Sequence, residues 1–192
     1  MSKDYIKKIL DNNRDVVVIV DEAYVDFGGE SMIPLINEYE NLVVVQTFSK
    51  SRSMAGARLG GAFADKRLIK AMKDVKFSIN SYTISNLFIK AGIASIEDDE
   101  YFKTQVGKIV NTRENAKIKL KELGFEVTDS KTNFLWATHK DVSAKVIYEK
   151  LKEEKIFVRY FNKTLIDNYL RITIGTDEEM EKLYKALGNV IM

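Results

Sequence analysis

Val16-Val17-Val18-Ile19-Val20-Asp21-Glu22-Ala23-Tyr24 decides how the rest of the chain is read. Its first five residues are β-branched and show no polar alternation, the pattern of a strand buried on both faces of a parallel sheet. The run stops at a carboxylate and, shortly after, a phenol. In an open α/β sheet, ligands bind at the carboxyl edge of the strands, so Asp21 and Tyr24 are expected to border a crevice. The next apolar run, Leu42-Val43-Val44-Val45, has the same character and ends near Lys50. Set side by side in parallel, two such strands bring Asp21, Tyr24, Ser49 and Lys50 around one crevice. Taken singly, Asp21 reads equally as a cap or turn residue and Tyr24 as a half-buried surface aromatic. The coincidence of all four points to a site.

The loop after the second run reads Thr47-Phe48-Ser49-Lys50-Ser51-Arg52-Ser53-Met54-Ala55-Gly56-Ala57-Arg58-Leu59-Gly60-Gly61. A lysine in a small-residue loop at the end of a strand suits Schiff-base chemistry on a phosphorylated aldehyde. An amine nucleophile needs a constrained, partly desolvated place to be deprotonated when required. The Ser49 hydroxyl and the Arg58 guanidinium can hold a phosphate dianion, the arginine through its bidentate fork. Read alone, the loop is equally well explained by a solvated surface lysine.

Composition narrows the classes. A chain of 192 residues is long enough for one or two small cores. Thirty basic against 28 acidic residues leave a net charge of +2, with no basic patch of the kind that binds nucleic acid. Without cysteine there is neither a disulfide framework nor a thiolate metal site. The one histidine, His139, in Thr138-His139-Lys140-Asp141, is expected in a solvated turn after a strand rather than on a metal. The longest apolar stretches are strand-sized, so neither a signal peptide nor a transmembrane span is expected, and a soluble cytoplasmic protein is the default.

Farther along, strands and helices alternate. Tyr5-Ile6-Lys7-Lys8-Ile9-Leu10 is a short amphipathic lead. A strand over Gly60–Ala64 precedes a helix over Asp65–Val75, and Ser81–Ala94 has the apolar content of a core helix. Glu97–Leu123 is long and charged with apolar residues near helical spacing, closed by Gly124 as a carboxyl-terminal cap. Strands follow at Phe125–Thr128, Asn133–Thr138 and Tyr169–Ile174, with a helix over Val142–Glu154. A last helix starts at Asp177, where four of the first five residues are acidic, which suits a helix amino-terminus. Pro34 falls between strands and carries no chemical signal.

Val20-Asp21-Glu22-Ala23-Tyr24, Ser49-Lys50 and Ala55-Gly56-Ala57-Arg58-Leu59-Gly60 together resemble the pyridoxal-phosphate-dependent aminotransferases of the aspartate-aminotransferase superfamily. The extended form Asp21-Glu22-Ala23-Tyr24-Val25-Asp26-Phe27 is similar to the histidinol-phosphate aminotransferase family in particular. So are Asn133-Phe134-Leu135, Val158-Arg159 and Leu170-Arg171-Ile172-Thr173-Ile174-Gly175-Thr176. The resemblance runs from about Val16 over nearly the whole chain. It implies an α/β fold: residues 1–96 as part of a mostly parallel, three-layer cofactor-binding large domain, 97–124 as a long connecting helix, and 125–192 as a small α+β carboxyl-terminal domain.

The resemblance also implies roles. Lys50 would condense with pyridoxal 5'-phosphate and then shuttle the proton between substrate and cofactor carbons. Asp21 would face the pyridine nitrogen and keep it protonated, an opposite charge favouring the charged form, so that the ring serves as electron sink. Tyr24 would donate to the ring's phenolate oxygen, and Ser49 and Arg58 would bind the cofactor phosphate. Arg159 and Arg171 would bind the anionic ends of the substrates, the phosphate of histidinol phosphate and the carboxylates of glutamate or 2-oxoglutarate. Asn133 would lie near the site, although a plain turn residue explains it almost as well.

By the same resemblance, the chain corresponds to the carboxyl-terminal half of such an enzyme. The arm, the phosphate-binding loop and helix, the ring-stacking aromatic and the asparagine loop that precede these motifs in the family have no counterpart here. An unpaired sheet edge or uncovered apolar face is therefore expected. The loss of a helix amino-terminus should weaken phosphate binding, and this chain alone is expected to show little or no turnover. The implied activity is transamination in histidine biosynthesis, with a small-molecule amino donor and a 2-oxo acid as partners and a homodimer as the family's assembly. Threonine-phosphate decarboxylation, another transamination in the superfamily, and a folded but non-catalytic piece stay open as alternatives.

Overall fold

In the computed structural model, which describes residues 2–191, the two apolar runs form β1 (Val18–Asp21) and β2 (Leu42–Thr47). They pair in parallel, Val18 opposite Leu42 and Asp21 opposite Val45. β3 (Gly60–Ala64) adds antiparallel on the far side of β2, giving the order β1-β2-β3. One face of this sheet, carrying Val18, Val20, Leu42 and Val44, is covered by Ile6 and Leu10 of α1 (Lys3–Asp11) and by Met32, Leu35 and Tyr39. The amphipathic lead of the chain is thus a helix whose apolar stripe closes the core, each fully buried Leu or Ile contributing roughly 1.5–3 kcal/mol.

β1 differs from the expectation that it is buried on both faces. Among the described residues it is an edge strand with a neighbour on one side only, and Ile19 is 65% exposed while Val18 and Val20 turn inward. Val16 and Val17 lie before the strand and are exposed as well. Unbroken β-branching specifies an extended backbone here; the sheet order decides which side chains it buries.

The contacts divide the described residues into two units, one ending at Thr104 and the other starting at Gln105. In the first, α2 (Lys66–Ile79) starts at Asp65, whose carboxylate accepts the Arg67 N–H, and extends four residues beyond the expected Val75. α3 (Asn86–Glu97) is capped by Ser85. The core helix expected over Ser81–Ala94 is not found in that form. Leu87, Ile89 and Ile93 are exposed, and Gly92 is the buried residue of α3. A Cβ at Gly92 would stand 3.0 Å from Leu59 Cδ1, so α3 approaches the loop after β2 through its smallest residue.

α4 (Asp99–Glu122) spans the boundary at Thr104 and ends at Gly124, whose positive φ of 82° allows its N–H to reach the Lys121 carbonyl at 3.0 Å. The second unit holds an antiparallel sheet of β4 (Phe125–Val127), β5 (Phe134–His139), β6 (Arg159–Tyr160) and β7 (Leu170–Thr173), in the order β4-β5-β7-β6. Its inner face packs Leu135, Ala137, Leu170 and Ile172 against α5 (Ala144–Glu153), α6 (Asp177–Ile191) and the Ala116 and Leu120 side of α4. Thr176 and Glu179 cap α6 reciprocally: the Thr176 N–H donates to Glu179 Oε2 at 2.8 Å and the Glu179 N–H to Thr176 Oγ1 at 3.3 Å.

His139 corrects the sequence expectation. It is buried at the end of β5, edge-on to Phe125 at 5.1 Å, and is not part of a solvated turn. Its Nδ1 accepts the N–H groups of Asp141 and Val142, both at 3.2 Å, so the imidazole satisfies the turn's donors and can be desolvated. Among the described residues, no helix is long and apolar enough to cross a membrane, and no group of three or more His, Cys, Asp or Glu side chains could hold a metal ion.

Tyr184 of α6 is half-buried against the second core. Burial, reinforced by the negative charges of Glu181 and Asp177, pushes its phenol up from about 10 to about 12. A raised acid pKa adds stability that is whole below pH 10 and is lost as the pH rises through 10 toward 12. Tyr184→Phe is expected to flatten that alkaline loss, read as urea midpoints at pH 9, 10 and 11 by Trp136 fluorescence.

Candidate active site

The carboxyl ends of β1 and β2 place the residues singled out in the sequence. Asp21 closes β1 and is exposed, with Oδ1 accepting the Ala23 N–H at 2.9 Å, so its own turn orients the carboxylate. Glu22 extends the parallel ladder by donating its N–H to the Val45 carbonyl at 2.8 Å. Its side chain turns the other way and is buried. There it accepts the Met32 N–H at 2.5 Å, the Ser31 hydroxyl at 2.8 Å and Gln46 Nε2 at 2.9 Å. A buried carboxylate is tolerated when its lone pairs are filled in this way. Tyr24, half-buried, opens a 3-10 turn over Val25–Phe27.

Lys50 Nζ stands 5.4 Å from the centre of the Tyr24 ring, within the range of a cation–π contact. Ser49 is tied to the strand end: its N–H donates to Thr47 Oγ1 at 3.1 Å, and the two hydroxyl oxygens are 3.0 Å apart. The loop folds back on its base, with the Phe48 N–H on the Leu59 carbonyl (3.1 Å) and the Met54 N–H on the Phe48 carbonyl (3.0 Å). Arg58 is exposed at the far end and donates to the Ala55 carbonyl at 3.0 Å. Two non-glycine residues of this loop, Ser53 (φ 54°) and Arg58 (φ 53°), are left-handed. That conformation costs about 1–2 kcal/mol for each residue carrying a Cβ. Gly60 is required where β3 begins, because a Cβ there would stand 2.9 Å from the Gln46 carbonyl oxygen.

Four residues that anchor this arrangement escaped the reading of the sequence: Glu22, Asp26, Ser51 and Arg52. Ser51 is buried and its hydroxyl donates to the Asp26 carboxylate. The Arg52 guanidinium donates to the Ser95 carbonyl and lies 4.0 Å from the Phe102 ring centre and 5.7 Å from that of Phe48. Glu22 had a signal, since strand alternation turns it inward if Asp21 turns outward. The others lie in turns, where side-chain direction has no period.

Asn133, Arg159 and Arg171 belong to the second unit. Arg159 stands opposite Arg171 across β6 and β7, and Arg171 opposite Trp136 across β7 and β5, so all three share the face away from the core. Arg159 lies over the Phe161 ring at 5.2 Å, and Arg171 over Phe134 at 5.2 Å and Phe161 at 6.0 Å. Trp136 stacks on Tyr169 at 5.8 Å and 10°. Among the described residues neither arginine has a carboxylate partner, and Arg171 Nε is buried without a hydrogen bond. Like charges directly opposed on neighbouring strands repel, so the Arg159–Arg171 pairing concentrates positive charge on this face. The Asn133 carbonyl accepts the Ile174 N–H at 2.9 Å, a backbone contact that continues the β5–β7 pairing. β6 was not anticipated, since two residues are too short to show a period.

The first unit thus carries a parallel strand pair ending in a carboxylate and a phenol, with an amine over the phenol, and the chain that carries it matches the class I and II aminotransferases. The model of that family matches residues 1–187, and the chain is a member of it. A histidinol-phosphate aminotransferase of Brachyspira hyodysenteriae is 53% identical over 192 residues, covering 100% of this chain and 54% of the relative. The chain therefore spans about half the length of the curated relatives it matches. The crystal structure of the histidinol-phosphate aminotransferase from Clostridium acetobutylicum superposes with a TM-score of 0.90 at 25% identity, over 100% of this chain and 59% of that one. That of Sinorhizobium meliloti, solved in complex with pyridoxal-5'-phosphate, gives 0.83 at 26% identity over 96% of this chain and 52% of its own.

Replacing Glu22 by alanine strands the buried Met32 N–H and the Gln46 amide. The expected loss is about 2–3 kcal/mol from the first unit, the scale of removing an ionised hydrogen-bond partner from a buried donor, measured by urea unfolding followed by far-ultraviolet circular dichroism.

Proposed function

We propose that Lys50 is the cofactor-binding amine of a pyridoxal-phosphate-dependent aminotransferase, and that the protein exchanges amino groups between histidinol phosphate and 2-oxoglutarate or glutamate. The observation that carries this reading is the Lys50 amine held 5.4 Å over the Tyr24 ring at the carboxyl edge of a parallel strand pair. The donor set fits pyridoxal 5'-phosphate: an amine for an aldehyde, a carboxylate for a ring nitrogen, a phenol for a ring oxygen, and a hydroxyl with a guanidinium for a phosphate. When bound, that group supplies an electrophilic carbon and a ring able to take up the electrons released at the substrate carbon.

The chain's own residues do the rest. Lys50 would hold the group through its amine and would serve as the base that moves a proton at the substrate carbon. Asp21 would face the group's ring nitrogen, where its negative charge would favour the protonated form. Tyr24 would donate its hydroxyl to the group's ring oxygen, and Ser49 and Arg58 would hold its phosphate. Arg159 and Arg171, opposed without a carboxylate between them, bind the substrate's phosphate or carboxylate, and Asn133 borders that site. One anion site then serves two substrates, because the guanidinium fork matches either group.

The curated relative at 53% identity is named a histidinol-phosphate aminotransferase, which favours amine transfer over decarboxylation of a phosphorylated amino acid. A cytoplasmic location and a homodimer belong to the same proposal. Because the relatives are about twice as long, turnover by this chain alone is expected to be far below that of a full-length relative.

The direct test is to incubate the chain with pyridoxal 5'-phosphate, reduce with borohydride, and map the modified lysine by peptide mass spectrometry. Lys50 is expected to be labelled selectively, and Lys50→Ala to remove the label. Arg58→Ala should lower the apparent affinity by roughly tenfold, the worth of one charge-assisted contact of about 1.4 kcal/mol. Label spread evenly over surface lysines overturns the assignment. A panel of histidinol phosphate and threonine phosphate, supplied with the amino-terminal part of a relative, separates amine transfer from release of carbon dioxide.

A further inference from the structure

We infer that Ser51 and Asp26 are positioning residues that hold Lys50 against Tyr24. Lys50 is exposed and its Nζ has no hydrogen-bond partner among the described residues, so the place of the amine is fixed through its backbone and the Tyr24 ring. The next residue, Ser51, is 6% exposed, and its hydroxyl donates to the carboxylate of Asp26. Asp26 lies in the 3-10 turn over Val25–Phe27 that Tyr24 opens. One hydrogen bond therefore joins the residue after the amine to the turn that presents the phenol.

The loop needs such a tether. Ser53, three residues after Lys50 and bonded through its N–H to the Lys50 carbonyl, is left-handed, as is Arg58. A strained segment keeps its shape only where its surroundings over-determine it. Arg52 supplies one anchor, on the Ser95 carbonyl and the Phe102 ring, but these belong to α3 and α4 and leave the spacing from the Tyr24 turn open. Ser51 supplies the second anchor, on the turn itself. Because the Ser51 hydroxyl is buried and its acceptor is a carboxylate oxygen, the bond is of the stronger kind. The pair acts through Lys50.

This inference rests on the reading of Lys50 as the cofactor amine for its purpose, but not for its geometry, so two readouts on the full chain separate the two. In the first, without cofactor, a short bifunctional aryl fluoride bridges amines to phenols, and the Lys50–Tyr24 bridge is quantified by peptide mass spectrometry. The yield relative to bridges at other lysines is expected to fall on the order of tenfold in Ser51→Ala, the factor carried by one hydrogen bond to a charged group. It should be restored in Ser51→Thr, which keeps the hydroxyl. Asp26→Asn, at an exposed position that keeps an oxygen acceptor but loses the charge, should fall between, and it carries the test if Ser51→Ala does not fold. In the second readout, borohydride trapping of pyridoxal 5'-phosphate at Lys50 should follow the same order.

An unchanged bridge yield in folded Ser51→Ala, a Ser51→Thr that behaves like Ser51→Ala, or no bridge in the unsubstituted chain overturns the inference. A bridge that follows the expected order while pyridoxal 5'-phosphate labels no lysine selectively supports the positioning and sinks the functional reading. Selective labelling of Lys50 that is equal in all variants does the reverse.

Discussion

The parallel pairing of β1 with β2 is the constraint on which the first unit depends. Two strands running the same way end on the same edge, so whatever follows each of them is delivered to one place. Here Asp21 opposite Val45 sets the register, and the Glu22 N–H on the Val45 carbonyl carries it one residue past the strand. A slip of one residue would exchange the faces of Asp21 and Glu22. Glu22 opposes that slip, because its carboxylate is already committed inside to Met32, Ser31 and Gln46. The inward carboxylate thereby keeps the outward one in place.

The loop from Thr47 to Gly60 is a contest between strain and anchoring. Two left-handed non-glycine residues cost on the order of 2–4 kcal/mol together. Against them stand the Ser51–Asp26 bond, the Arg52 clamp and the backbone bonds that close the loop's base. Hydrogen bonds to charged groups contribute about 1.5–3 kcal/mol each, so the anchors outweigh the strain. The surplus keeps an exposed lysine in one place, which a solvated loop of serines and glycines would not do.

What could be read in the sequence follows from which rules have a period. Val16–Val20 and Leu42–Val45 announced strands, and Gly124, with its positive φ, announced the end of a long helix. The placement of Asp21, Tyr24, Ser49 and Lys50 was legible because a carboxyl edge is a topological place, and the ends of two parallel strands fix it. Burial was less legible. Ile19 is exposed because β1 is an edge, which no single strand's composition records, and α3 meets its neighbours through Gly92 instead of through its larger apolar residues. His139 looked like a solvated turn residue because its satisfaction comes from the backbone of Asp141 and Val142, a contact that depends on turn geometry. Ser51, Arg52 and Asp26 were invisible for the same reason: their partners are distant in sequence and lie in irregular segments.

The second unit makes the complementary point about charge. Across β6 and β7 the fold sets Arg159 directly opposite Arg171 and offers aromatic faces, not carboxylates, to both guanidiniums. Rings of Phe161 and Phe134 return part of the lost solvation through cation–π attraction, roughly 0.5–2 kcal/mol per contact, but they do not neutralise the charge. A carboxylate between the two strands would offset part of the repulsion between the two arginines. Arg171 Nε, buried and unpartnered, marks where the balance was left open. On the proposed reading, an anion entering there would gain a bidentate partner and offset the repulsion between the two guanidiniums.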